Sequence, residues 1–257
     1  MINSIKKENT KFIETVKIRY SELDCSMTLK PVSLFHFFQD LASDNAEALG
    51  FGYSFIIQKN LAWFLLKYRM EFYDYPQNIF DLTIQTEPRG YNKLFAFRNF
   101  KVEHDNKLIA RVSSAWGLID LDTKSMANVQ NVLEGNPNIS PFEKKEDDLE
   151  FQKIKKLERV DFKKEFSVRF DELDVNQHVN NANYITYALE PIDFEFRKNY
   201  KLKTLDMLFK HELKYGENIV SEVQFEDNKT LHLVKNVDSG DEICLIQAEW
   251  VKKNYQS

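Results

Sequence analysis

Val168-Arg169-Phe170-Asp171-Glu172-Leu173-Asp174 matches Ile18-Arg19-Tyr20-Ser21-Glu22-Leu23-Asp24 in residue type at most positions, at an offset of 150 residues. Each stretch reads as an alternating strand running into a polar turn. The likeness continues into a helix. Residues 31–50 place Leu34, Phe38, Leu41, Ala42 and Leu49 at helical spacing, with Pro31 at the start and Gly50 at the end, the punctuation of a long helix. In the later copy Asn180 and Asn181 are N-cap candidates, and Tyr184, Ile185, Ala188 and Leu189 recur at three and four. Pro191 should end or kink that helix, since it has no N–H to donate. The chain is therefore read first as a duplication.

Downstream of each helix the period changes to two. Leu94-Phe95-Ala96-Phe97-Arg98-Asn99-Phe100-Lys101-Val102 alternates, and so do Ile219-Val220-Ser221-Glu222-Val223-Gln224-Phe225 and Leu231-His232-Leu233-Val234. The last strands correspond across the copies, at residues 109–116 and 243–250, each ending in Trp and preceded by a turn, His104-Asp105-Asn106 or Asp238-Ser239-Gly240. Between the copies the periodicity breaks around Gly135, Pro137, Pro141 and the run Glu143-Lys144-Lys145-Glu146-Asp147-Asp148. The predicted organisation is an N-terminal domain over 1–130, a connector over 131–158 and a C-terminal domain over 159–257. The fold class is α+β, each half a long helix packed on a curved antiparallel sheet, the simplest way for such a pattern to bury one apolar face.

The composition sets limits on function. With 257 residues, 43% hydrophobic, 21 Phe and 11 Tyr, the chain can build two cores without metal or disulfide staples. Cys25 and Cys244 lack any CxxC or Cys/His spacing, as expected of free thiols in a reducing compartment. A net charge of -5 argues against nucleic acid. No apolar run comes after the polar N-terminus, and none approaches a membrane span, so the expectation is a cytoplasmic protein.

The chemistry is expected where the copies differ. Asp24-Cys25-Ser26-Met27-Thr28 in the first becomes Asp174-Val175-Asn176-Gln177-His178 in the second, and only the second carries a titratable base. Alternation through Asp174, Asn176 and His178 would aim three polar groups to one side, just before a helix N-terminus at Asn180 and Asn181 whose free N–H groups suit a developing oxyanion. Any one of these residues alone is an ordinary turn or cap residue; the set, beside a copy that lacks it, points to function. A metal site is not expected, because Asn is a poor transition-metal ligand and His211 is the only other His of this copy before His232. Neither a G-x-S-x-G motif nor a Cys in the His-bearing turn signals a nucleophilic triad.

The run from Arg169 through Asp174-Val175-Asn176-Gln177-His178-Val179-Asn180-Asn181-Ala182-Asn183-Tyr184-Ile185 to Leu189-Glu190 closely resembles the signature of the acyl-acyl carrier protein thioesterases, a family of tandem hotdog domains. The first half agrees around Phe38-Gln39-Asp40-Leu41-Ala42, Leu49-Gly50, Trp63, Pro76 and Ser114-Ala115-Trp116. The resemblance implies two tandem hotdog domains, with Asp174, Asn176, His178 and Glu212 as the catalytic set, Glu212 acting as general base on a water or as nucleophile. Plant members carry a Cys after this Glu; here it is Leu213, which removes any mechanism needing that thiol. The N-terminal domain would bind the acyl chain without catalysing, with Ala62, Trp63, Phe64 and Phe38 as tunnel residues. No cofactor is implied. The expected partner is acylated carrier protein, with a homodimer left open. The rival readings are an acyl-CoA thioesterase and a non-catalytic acyl-binding protein.

Overall fold

The computed structural model describes residues 5–75 and 81–253; Pro76 lies outside them. The chain divides into two units, Met1–Glu150 and Phe151–Ser257. In the first, β1 (Lys6–Glu8), β2 (Lys11–Lys17), β3 (Leu61–Phe72), β4 (Asp81–Tyr91), β5 (Ala96–His104) and β6 (Lys107–Asp120) form an antiparallel sheet in the order β1-β2-β4-β5-β6-β3, with β7 (Met126–Ala127) on β6. Asp105 and Asn106 both have positive φ and close the two-residue hairpin between β5 and β6, where the mirror-image turn matches the strand twist.

Helix α1 (Pro31–Ala48) begins with Pro at its first turn and leads to Gly50 at φ +80, a left-handed exit that glycine adopts without steric cost. Leu34, Phe35, Phe38 and Leu41 are fully buried at the three-and-four spacing of one helix face, and each stabilises the packing by roughly 1.5–3 kcal/mol. Phe38 packs on Phe100 at 4.7 Å between ring centroids and Phe35 on Tyr68 at 4.5 Å. A polar tie runs through this core. The buried Arg98 guanidinium donates to Asn45 Oδ1 on α1 (2.7 Å) and to Thr86 Oγ1 on β4 (2.9 Å). Two short helices, α2 (Tyr53–Ile57) and α3 (Val129–Leu133), cover a second cluster of Leu49, Phe51, Ile56, Leu118 and Leu133.

The expected connector is largely part of this unit. Its first residues lie in α3, and beyond them the Tyr91 N–H donates to Ser140 O and the Phe142 N–H to Tyr91 O, which ties the segment to the end of β4. Asp148, from the charge run assigned to the connector, is held by Arg89 at 2.7 and 3.1 Å and by Asn99 at 2.7 Å. The side chains of this ion pair are only 4% and 7% exposed.

The second unit has β8 (Phe162–Ser167), β9 (Tyr200–Phe209), β10 (Asn218–Glu226), β11 (Lys229–Asn236) and β12 (Glu242–Lys252), in the antiparallel order β9-β12-β11-β10-β8. Its helix is not long. Helix α4 (Asn183–Leu189) stops before Pro191, and Asp193 starts α5 (Phe194–Asn199) by accepting from the Glu195 and Phe196 N–H groups. The first unit therefore has the expected long helix on an antiparallel sheet, whereas in the second the helix is split in two around Pro191. No helix among the described residues is long and apolar enough to cross a membrane.

Candidate active site

After β8 the chain makes a single helical turn at Phe170–Glu172 rather than continuing as strand. The Arg169 N–H donates to Glu172 Oε2 at 2.8 Å, and Glu172 is buried against the Arg169 guanidinium and the Tyr187 hydroxyl. Burial alone would raise its carboxyl pKa, but these donors outweigh it and hold the pKa below the usual carboxylate value. Leu173 then pairs with Val179, and the five residues between 174 and 178 form a closed turn. The Asp174 N–H donates to His178 O at 2.8 Å, the Gln177 N–H donates to Asp174 O at 3.0 Å, and Gln177 takes φ 64.

This corrects the extended alternation expected here. Asp174 Oδ1 accepts from the N–H groups of Asn176 (2.8 Å) and His178 (3.4 Å), so its carboxylate is turned to its own backbone, as short Asp side chains do in turns. Asn176 is exposed at the tip. Helix α4 starts later than Asn180 and Asn181 would have it, because Asn180 Oδ1 accepts from the Ala182 N–H at 2.9 Å and delays the first helical turn to Asn183.

Glu212 lies three residues past the end of β9, not within a strand. The Lys210 and His211 N–H groups both donate to Ile243 O, and the Val179 N–H donates to Leu213 O at 2.8 Å. The Leu213 N–H in turn donates to the Tyr184 hydroxyl of α4 at 3.2 Å. These bonds clamp the Glu212 segment along the His178 turn, and His178 pairs with Lys214 across it. Glu212 Oε2 consequently stands 3.4 Å from His178 Nδ1, with the carboxylate half-exposed and the imidazole about a quarter exposed. A carboxylate and an imidazole this close can share a water or a proton, and such contacts commonly shorten once substrate is bound. Tyr184, which ties α4 to the Glu212 segment, is hidden by the periodicity. It reads as one more apolar helix position, yet the first copy has Leu34 at the same offset, a difference that marks it.

The buried Leu213 side chain takes the place of the plant cysteine. Cys244 is buried, and desolvation pushes its thiol pKa up, which disfavours the thiolate. Among the described residues no group of three or more His, Cys, Asp or Glu is placed to hold a metal ion. The four expected tunnel residues do not share one surface. Trp63 packs with the α2/α3 cluster and donates to Phe51 O at 3.0 Å; Ala62 and Phe64, its neighbours along β3, face the other way; Phe38, on the buried face of α1, packs against Phe100.

The chain matches the acyl-ACP thioesterase N-terminal domain over residues 9–134 and the C-terminal domain over residues 155–252. The acyl-[acyl-carrier-protein] hydrolase FATB3 of Cuphea viscosissima, a chloroplastic protein, is 22% identical over 273 residues, which cover 99% of this chain and 66% of that protein. The oleoyl-acyl carrier protein thioesterase of Coriandrum sativum is 22% identical, over 98% of this chain and 80% of that one. Among solved structures, an acyl-ACP thioesterase from Bacteroides thetaiotaomicron aligns with TM-score 0.84 at 21% identity, covering 95% of this chain and 98% of that one. The 12:0-ACP thioesterase from Umbellularia californica aligns with TM-score 0.86 at 18% identity, covering 96% and 100%. With both halves of the domain pair matched in order, the chain belongs to the acyl-ACP thioesterase family.

Proposed function

We propose that this chain hydrolyses acyl-acyl carrier protein to free fatty acid and carrier protein, with Glu212 and His178 as the reacting pair. The carrying observation is their 3.4 Å contact on a turn whose twin in the first copy has Thr28 in the place of the histidine. Glu212 draws a proton from a water as its oxygen attacks the thioester carbonyl carbon; the C–S bond breaks and the departing sulfur takes a proton. His178 orients the water and shares its proton, and the exposed Asn176 meets the carbonyl side of the substrate. Asp174 fixes the turn through the two backbone N–H groups it accepts. We also read the two units as tandem hotdog domains, a reading supported by their common order of strand, turn, helix and antiparallel sheet. Selection of the acyl chain falls to the first unit, which has no counterpart of the reacting pair.

The experiment is a matched set of rates on one acyl group carried by carrier protein and by coenzyme A, with the released fatty acids identified. Faster turnover of the carrier-protein thioester is expected. Preference for coenzyme A would assign the chain to the other carrier, and hydrolysis of neither would remove the enzymatic reading.

A further inference from the structure

Three large apolar side chains stand in solvent around the His178 and Glu212 pair. Phe170 is 74% exposed, Val175 90% and Tyr215 65%. Single exposed apolar residues are ordinary, but these are grouped. Val175 and Tyr215 are each three residues from a member of the pair, so neither backbone position is more than roughly 11 Å away along the chain. Phe170 and Tyr215 come from different segments and meet edge to face, 6.3 Å between centroids. The ring contact fixes both aromatics without burying them. Aromatic side chains held rigid and solvent-facing are the type enriched at protein interfaces, where they bury much area at little entropic cost.

We propose that Phe170, Val175 and Tyr215 seat the carrier protein, as distinct from its acyl chain. This rests on the acyl-ACP reading above. A thioester borne on a protein reaches Glu212 only if that protein settles on the rim of the pair, and these three side chains are the large apolar groups exposed there. Their exposure leaves them open to a protein partner, whereas an acyl chain is sheltered from water only in an enclosed apolar site. Glu172 is taken up by Arg169 and Tyr187 and Glu217 by the Lys214 N–H, while the exposed Asp171, Asn176, Gln177 and Lys214 supply the polar border that surrounds an apolar interface centre.

The test replaces all three by serine and measures kinetics on two substrates with the same acyl group, one on carrier protein and one on coenzyme A. Exposed positions of this kind seldom affect folding, and a matching thermal melt establishes that the variant is intact. KM for acyl carrier protein should rise about tenfold or more with kcat within about twofold, while both constants for acyl-CoA stay near those of the parent. An unchanged KM for the carrier-protein substrate overturns the proposal. Equal losses on both substrates also overturn it and make the patch part of the reacting site. A shift in oligomeric state with unchanged KM assigns the patch to a second copy of the chain instead. If the parent protein does not hydrolyse acyl carrier protein at all, the functional reading fails with it; if the parent does and the serine variant is indistinguishable, only the seat is lost.

Discussion

The turns at 24–28 and 174–178 make the same hydrogen bonds with different side chains. Asp24 Oδ1 accepts from the Ser26 and Thr28 N–H groups at 2.8 and 2.9 Å, as Asp174 does from Asn176 and His178. Met27 and Gln177 both take a left-handed φ, and the Lys30 and Asn180 N–H groups each donate to the carbonyl of the Glu eight residues earlier at 2.9 Å. The loops beyond the paired strands also correspond. The Tyr73 and Asp74 N–H groups share Ile109 O as Lys210 and His211 share Ile243 O, which puts Tyr75 where the second copy has Glu212. There Tyr75 stacks on Phe72 at 4.7 Å, and burial, with Asp24 nearby, pushes its hydroxyl pKa well up. The aspartate thus belongs to the shape of the turn in both copies, and what differs is what that shape presents: His178 and Glu212, the proposed reacting pair, in one copy, Thr28 and Tyr75 in the other.

The sharpest way to break this comparison is to remove the presented groups. Glu212→Gln and His178→Ala should each lower kcat on acyl carrier protein by about a hundredfold or more, whereas Thr28→Ala and Tyr75→Phe leave it within about twofold. Comparable losses in the two copies would place the reaction elsewhere. Next in size is the shared clamp. Asp174→Ala should cost about tenfold in kcat by loosening the His178 turn, and Asp24→Ala should leave kcat unchanged, each lowering stability by about 1 kcal/mol in a denaturant titration. Equal stability losses with unequal kinetics would sharpen the distinction between shape and chemistry; unaltered kcat in Asp174→Ala would break it.

Variants of the first unit should alter selection and not the chemical step. Trp63→Ala and Phe38→Ala, compared only where they remain folded because emptying a packed core costs roughly 3–5 kcal/mol, should change which fatty acids are released from a mixed pool. An unchanged product profile in both would remove the first unit from chain selection.

An effect on stability alone, with none on turnover, concerns a second pair of equivalent places. Phe38 packs on Phe100 in the first core; in the second, Ala188 stands at the helix position and His232 on the strand, opposite Ile246 as Phe100 is opposite Val112. Burial pushes the His232 pKa down to about 3, against a smaller opposing pull from the Ala188 backbone. The folded chain keeps this imidazole neutral while the unfolded chain protonates it near the ordinary value. The unfolded state therefore binds the extra proton as pH falls below about 6.5, and stability drops by up to about 1.4 kcal/mol per pH unit until pH nears 3. His232→Gln should flatten that part of the stability profile, as measured by urea unfolding between about pH 6.5 and about pH 4.5. An identical slope in the variant would mean that His232 is not buried neutral.

Much of this is legible in the residues. Pro31 and Gly50 bracket α1, Pro191 ends α4, and Asp105-Asn106 marks a hairpin, because these are local steric and hydrogen-bonding effects. His178 stands out because the two copies can be laid side by side. Glu212 is reached only through the family resemblance: it lies far along the chain from His178, in a segment with no period, and what brings the two together is a set of backbone bonds that no side-chain pattern encodes. The tunnel residues show the opposite fault. Trp63 and Phe64 are adjacent on a strand and so face opposite ways, which the alternation already implies. The expected connector takes in residues that pack with the first unit, because Gly135, Pro137, Pro141 and the charge run break the period, while the partner of Asp148 lies 59 positions upstream at Arg89.

That ion pair decides where the molecule can be cut. A first half ending at residue 130 would keep the Arg89 guanidinium and lose Asp148, the nearer of its carboxylate partners at 2.7 Å, leaving Glu87 at 3.6 Å. Losing the bidentate partner of a buried guanidinium is costly, and in a domain this size the margin of stability is small. A half that ends at Glu150 keeps Asp148, its bond to Asn99 and the Phe142 strand contact. In proteolysis the same logic makes residues 135–148 a poor place to nick, although their composition advertises an open linker, and moves the vulnerable stretch past Glu150, where the chain passes from one set of contacts to the other.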